Sequence, residues 1–297
     1  MNADSVKAKL KNIAQEERRE FQVILKIYGL ERTIYRIAVS NYADNFILKG
    51  GILLYALFDK NFTRATADVD LLAQRISNKV DEIRGVFEGI FSIEVDDALR
   101  YDLKTLQVIP ITEFKDYHGL NVSIMVYLDK TRIPISIDVG YGDVLYPNKV
   151  RMKFPVLLDT EAPEINAYSR YTVVAEKFEA IVSLGYANSR YKDFYDIYVL
   201  ANSYDFEGSK LQRAIEETFS HRQTSLEDIV AFEEGFAWDD VRQKRWSAFV
   251  KKKIVMEKIE FGEVCNLIEQ FLNPVVAEIL QNSTLGVEWN SKCRKWR

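Results

Sequence analysis

Apolar residues recur at helical spacing early in the chain, at Phe21, Ile24, Leu25, Tyr28 and Leu30, then at Ile34, Tyr35, Ile37 and Ala38, with charged residues between them. That period predicts a helical stretch over 4–40, which Gly29 is expected to break or kink into two helices. Residues 46–73 read as a short strand, a helix beginning near Ile52, a loop and a second strand. Val80, Ile83, Val86, Phe87 and Ile90 predict an amphipathic helix over 78–91. The period then changes to two. Thr105–Thr112, Leu120–Leu128 and Ile133–Val139 read as strands, with clear alternation from Asn121 to Val126 and a hairpin at Asp129-Lys130-Thr131-Arg132. Phe154–Leu158 and a segment near Ile165 are expected to add short strands. Helical spacing returns over 172–185, 190–201, 208–219, 238–253 and 260–281, and 282–297 look irregular. The predicted class is α/β in the α+β sense: an α/β domain with N-terminal helices over 1–160, and a helical domain over 161–297 packed across its active face.

Composition narrows the function classes. A chain of 297 residues, 47% hydrophobic and 28% charged, can bury a large core. Its net charge of −4 means that a nucleic-acid partner would be met by local basic patches rather than by the whole field. Cys265, Cys293, His118 and His221 are the whole supply of cysteine and histidine, too little for a structural zinc site or a disulfide framework. The N-terminus MNADSVKAKLKN is polar, and no run reaches transmembrane length, so a cytoplasmic protein without a membrane partner is expected.

The densest chemistry lies in FILKGGILLYALFDKNFTRATADVDL, from Phe46 to Leu71. In a strand, Asp68 and Asp70 project from one face while Val69 packs the other way. Two carboxylates so placed repel unless a hard cation lies between them, and Mg²⁺ suits because it takes oxygen ligands. Gly50-Gly51, at a strand-to-helix turn, lets backbone N–H groups approach a phosphate. Alone, a D-x-D or a Gly-Gly pair is common; together, in this order, they point to a nucleotide and metal site. Ile137-Asp138-Val139-Gly140 carries a third carboxylate, which either completes a two-metal site and takes a proton from an attacking hydroxyl or caps a turn.

The helical half holds further candidates. Thr172 is expected to cap the helix carrying Glu176 and Lys177, and Lys177 either reaches a triphosphate or is a solvated surface lysine. Arg190-Tyr191-Lys192-Asp193-Phe194-Tyr195-Asp196 is either a functional cluster or an ion-paired exposed helix face. The run 242–253 has six basic residues and no acid: a nucleic-acid-facing helix, or a solvated face with Trp246 buried.

In YADNFILKGGILLYALF, RATADVDLL, ISIDVGYGD, YTVVAEKFEAIV and RYKDFYDIYVL, the chain resembles the AbiEii/AbiGii-type toxin nucleotidyltransferases of the polymerase-β-like superfamily. The resemblance implies a polymerase-β-like nucleotidyltransferase core with a mixed sheet, plus a C-terminal helical domain. It implies transfer of a nucleoside monophosphate from an NTP, with Mg²⁺ (or Mn²⁺) as cofactor, within a type IV toxin–antitoxin or abortive-infection system. Gly50 and Gly51 would cradle phosphate, with Lys49, Arg64 and Thr66 beside the nucleotide. Asp68, Asp70 and Asp138 would bind metal, Lys177 would contact the nucleotide, and Asp193 would be the fourth-motif acid with Asp196 alongside. Arg190 and Lys192 would face nucleotide or acceptor, and Thr66 stands where relatives carry Ser or Thr, a position whose phosphorylation would silence the toxin. A tRNA 3′ end is the implied acceptor and an antitoxin encoded nearby the implied partner. The 16 residues between Gly51 and Asp68, and Lys49 before the first glycine, depart from the broad superfamily pattern. A transferase for a protein or small molecule, and an NTP-binding regulator without turnover, are the other readings.

Overall fold

The structure is a computed structural model and describes residues 1–60, 66–111, 119–253 and 259–297. Arg64, Thr112 and His118 lie outside them. The described residues fall into two compact units: one of 1–60, 66–111, 119–142 and 150–167, the other of 143–149, 168–253 and 259–297.

The first unit opens with α1 (Ala3–Glu16) and α2 (Phe21–Val39). Asn2 caps α1 by accepting the Asp4 N–H at 2.8 Å, and Val6, Leu10 and Ala14 bury its one apolar stripe. The break between the helices falls at 17–20, not at Gly29, which sits inside α2. A Cβ there would meet Ile133 Cγ2 at 2.8 Å and Ile135 Cδ1 at 3.0 Å, so this glycine serves close packing of helix on sheet. Buried Arg32 and Arg36 of α2 converge on buried Asp97, Arg36 at 2.6 Å and Arg32 at 3.3 Å. Asp97 also accepts the Leu99 N–H, so a paired charge cluster fixes where the next strand begins.

Then follow β1 (Phe46–Lys49), α3 (Gly50–Leu57), β2 (Val69–Ala73), α4 (Val80–Phe91), β3 (Leu99–Ile111), β4 (Gly119–Leu128), β5 (Thr131–Tyr141), β6 (Val150–Lys153) and β7 (Glu164–Ala167). They build a mixed sheet in the order β3-β4-β5-β2-β1-β7-β6. The β2–β5 and β1–β7 pairs are parallel; the others are antiparallel. The hairpin turns at Asp129-Lys130, where Asp129 has a φ of +52°, and pairs Leu128 with Thr131. Even-numbered residues of β4 and odd-numbered residues of β5 from Ile133 to Val139 are buried, giving the sheet one core face, on which α2 and α4 supply Ile34, Ile37, Phe87 and Ile90. The strand expected at Phe154–Leu158 is instead β6, four residues earlier. Pro155 has no N–H for a ladder, and Phe154 turns its own N–H to Pro163 O at 2.8 Å.

The second unit holds α5 (Arg170–Leu184), α6 (Tyr191–Ser203), β8 (Phe206–Glu207), α7 (Gly208–Arg222), α8 (Asp240–Lys253), α9 (Phe261–Leu280), β9 (Glu288–Asn290) and β10 (Lys295–Trp296). Aromatic rings fill its core: Phe194 and Trp246 pack on Phe261, and Trp289 on Phe271. The cap of α5 is Ser169, whose Oγ accepts the Thr172 N–H at 3.1 Å, so the expected cap at Thr172 lies three residues inside the helix. Residues 282–297 are ordered into β9 and β10, which pair with each other and through β9 with β8, and Trp289 donates to Ala201 O at 2.7 Å. Strands this short give no readable alternation, which is why the sequence pattern misses them.

Candidate active site

In the first unit, strand register gathers the polar residues. Lys49 of β1 stands opposite Asp70 of β2, Asp70 beside Asp138 of the parallel β5, and Asp138 opposite Asn121 of β4. These four form one row across four adjacent strands, on the face away from the core: register partners Val69 and Ile137, one residue back, are fully buried. Asp68 is exposed at the entrance to β2, with the alternation that D-x-D in a strand requires. The glycine turn closes on the same row. Gly50, at a φ of +68°, opens α3, and a Cβ on it would lie 1.8 Å from Asp70 Oδ2. Only glycine permits both the backbone conformation and the carboxylate behind it. Gly51 follows, buried in the first turn of α3, whose N-terminal amides and dipole favour an anion. Lys49 Nζ lies close to Gly140 of β5, within van der Waals reach of where a Cβ would stand.

The Gly50 geometry has a direct consequence. Gly50→Ala is expected to cost about 1–2 kcal/mol from the left-handed backbone alone and to displace the Asp70 carboxylate. Chemical denaturation and nucleotidyl transfer, measured on one preparation, should both fall; unchanged transfer would contradict this placement of Asp70.

Two residues that bear on the three carboxylates are not among the sequence candidates. Asn121 Nδ2 donates to Asp138 Oδ1 at 2.6 Å and to Ser136 Oγ at 2.8 Å, fixing one oxygen of the third carboxylate. The signal was available: a two-residue turn at Asp129-Lys130, counted back along the hairpin, sets Asn121 against Asp138. Lys26 of α2 donates through Nζ to Pro134 O. Burial pushes its ammonium below the ordinary lysine range while the nearby Asp68 charge opposes that. Only the tertiary fold brings Lys26 there. Thr66 directs its hydroxyl to the Asp68 carbonyl at 3.5 Å.

The donor set fits a hard divalent cation. Asp68, Asp70 and Asp138 offer oxygen alone, and two of the three stand side by side in register. Among the described residues no three His, Cys, Asp or Glu side chains make a ready metal cage. Mg²⁺, which keeps waters and completes its shell with substrate phosphates, needs no such cage.

In the second unit, Lys177 of α5 lies between two buried carboxylates of α6, 3.0 Å from Asp193 and 2.6 Å from Asp196. Arg190 reaches the other oxygen of Asp193 at 2.7 Å. Burial pushes the Asp193 carboxyl upward, but the Lys177 ammonium and Arg190 guanidinium outweigh it and hold the group at about 2. The surface alternative for these residues does not describe this arrangement. Lys177 is not a solvated lysine, and Asp193 and Asp196 are not an exposed face: they face inward, while Lys192 and Arg190 are exposed. On α8, Trp246 is buried and donates to Ile259 O at 2.6 Å, while Lys244, Arg245, Lys251 and Lys252 are exposed.

Among the described residues no helix is long and apolar enough to cross a membrane. Comparison with known proteins gives the chemistry its family. No curated protein matches the chain. A crystal structure described as that of a candidate nucleotidyltransferase from H. pylori shares the fold, with a TM-score of 0.50 at 14% identity, covering 87% of this chain and 97% of that one. A second crystal structure, of JHP933 from Helicobacter pylori, gives a TM-score of 0.43 at 14% identity, again over 87% of this chain and 97% of that one. The α+β class with a mixed sheet is thus a fold that this chain shares with the first of these structures. The family model described as nucleotidyl transferase AbiEii toxin, type IV TA system, matches residues 32–266, a span from α2 into α9, and the chain belongs to that family of toxin nucleotidyltransferases.

Proposed function

We propose that this enzyme transfers a nucleoside monophosphate from an NTP to the 3′ hydroxyl of a tRNA, with Mg²⁺ held by Asp68, Asp70 and Asp138. The observation carrying this reading is the register of Asp70 with Asp138, backed by a glycine turn that no other residue could make. The acceptor oxygen forms a bond to the α-phosphorus, the bridging α–β phosphorus–oxygen bond breaks, and pyrophosphate leaves. A bound divalent ion supplies charge neutralisation of the triphosphate and alignment for in-line displacement. The N-terminal turn of α3 at Gly50 and Gly51 holds phosphate oxygens, and Lys49 adds a cation beside Asp70. Asp138 takes the proton of the attacking hydroxyl through the oxygen that Asn121 leaves open, and Asn121 keeps that carboxylate from rotating. Arg64 would contribute from the approach to D-x-D, and Thr66 would be a control point by modification.

Lys177, Asp193 and Asp196 read best as the buried polar junction that locks α5 to α6 and leaves Arg190 and Lys192 exposed beside it. The exposed cations of α8 suit an RNA backbone. A cytoplasmic site of action and an antitoxin encoded nearby complete the proposal.

The test is incubation with Mg²⁺, each α-³²P-labelled NTP in turn and total bacterial RNA, beside an Asp68→Ala/Asp70→Ala control. Label in a tRNA-sized band, lost in the control, is expected. Label on protein would replace the acceptor; NTP binding without label would favour a regulator.

A further inference from the structure

The face of the sheet that carries the carboxylate row does not end there. Alternation continues it along the β4–β5 hairpin, through Ser123 opposite Ser136, Met125 opposite Pro134 and Tyr127 opposite Arg132. The strand β3 adds Gln107 beside Ser123 and Arg100 beside Tyr127. From Asp138 to Arg132 along β5 is about 20 Å at the usual strand rise. A groove of 430 Å³ lies along this track, lined among others by Thr105, Gln107, Ser123, Met125, Tyr127 and Arg132. Its chemistry is graded. Next to Asp138 the side chains are small and hydroxyl- or amide-bearing; farther out Met125 and Pro134 offer apolar contact. At the far end the Arg100 guanidinium lies 4.4 Å over the Tyr127 ring, with Arg132 exposed on its other flank. The acid on this stretch of face is Asp102, opposite Met125, and its Oδ1 accepts the Lys104 N–H at 3.3 Å.

We propose that this groove is the acceptor track: a single-stranded RNA end lies along β4 and β5 with its terminal hydroxyl at Asp138, an upstream base on Tyr127 and upstream phosphates on Arg100 and Arg132. The proposal rests on the transferase reading and names where its acceptor binds. Three observations select the occupant. An aromatic ring flanked by two guanidiniums is the pairing that recognises a base and its phosphate together. Gln107 and Ser123 supply donors and acceptors at the height where 2′-hydroxyls would pass. The strands that line the groove also carry Asp138, on the same face two residues beyond Ser136, so an occupant of one end can deliver its terminus to the other. An unpaired strand fits an open sheet face, which a base-paired duplex would span without stacking.

The test is anisotropy of a 3′-hydroxyl, 5′-fluorescein single-stranded RNA oligonucleotide with the full chain, for wild type, Tyr127→Ala/Arg132→Ala and Tyr127→Phe. The double variant is expected to bind about tenfold or more weakly and with a shallower salt dependence. Tyr127→Phe, which keeps the ring, should bind as wild type does, and NTP affinity should be equal in all three. Equal RNA affinity in wild type and double variant, with fold verified by circular dichroism, would overturn the proposal and leave the face to another occupant. The parent reading fails separately: if wild type binds the oligonucleotide through these residues yet transfers no α-label to RNA, the track stands and the transferase reading falls.

Discussion

Asp70→Asn is expected to lower nucleotidyl transfer by about a thousandfold or more while leaving the fold intact. The substitution keeps shape and hydrogen-bonding capacity but removes one of the two negative charges that register places side by side on β2 and β5. A divalent ion loses its pull there, and the triphosphate loses its neutralising charge. Stability should change little, because the charge removed is repelled by Asp138 on one side and attracted by Lys49 on the other, and the two effects oppose. Initial rates with α-labelled NTP, set beside thermal melts without metal, read both. Lost transfer with a retained or raised Tm is the signature of a functional carboxylate; lost transfer with a lowered Tm would make Asp70 a structural one.

Lys177→Met should have the largest effect on stability. The side chain keeps its length and loses its charge, leaving Asp193 and Asp196, both almost completely buried, facing each other without the ammonium between them. Removing one partner of a buried ion cluster typically costs about 3–5 kcal/mol. The pH dependence follows from Asp193, held at about 2 against an ordinary 3.8. Because the folded-state value is depressed, its stabilisation is complete above the ordinary value and is lost as pH falls through about 2. Lys177→Met should therefore be markedly less stable at neutral pH and show a shallower loss across that acid window, with Arg190 retaining part of the effect. Urea midpoints at pH 7, 4 and 3 check this. A variant as stable as wild type at neutral pH would show that the cluster contributes nothing net.

Much of the first unit could be read from the chain because its strands alternate cleanly. From Asn121 to Val126 every second residue faces the core, and the Asp129-Lys130 turn carries that pairing to Asp138. The carboxylate row was thus half visible: D-x-D from spacing, and Asp138 from its strand, but not the parallel pairing of β2 with β5 that sets it beside Asp70. A parallel neighbour leaves no local trace in sequence. Gly29 misled for the opposite reason. Local propensity marks glycine as a breaker, whereas here close approach to Ile133 keeps the helix continuous through it. The charged run 190–196 reads equally as a functional cluster or an exposed face, because i,i+3 and i,i+4 pairs commonly lie on surfaces. Lys177, which turns it into a buried junction, comes from another helix.

In the proposed reaction the α-phosphate group of an NTP is what moves. Parallel incubations of the chain with Mg²⁺, total RNA and the preferred NTP, labelled at either the α or the γ phosphate, test it most directly. The expected result is α-label in RNA and γ-label released as pyrophosphate in equal amount, both abolished by Asp70→Asn. Label from the γ position in RNA, or released phosphate with no labelled acceptor, would contradict it.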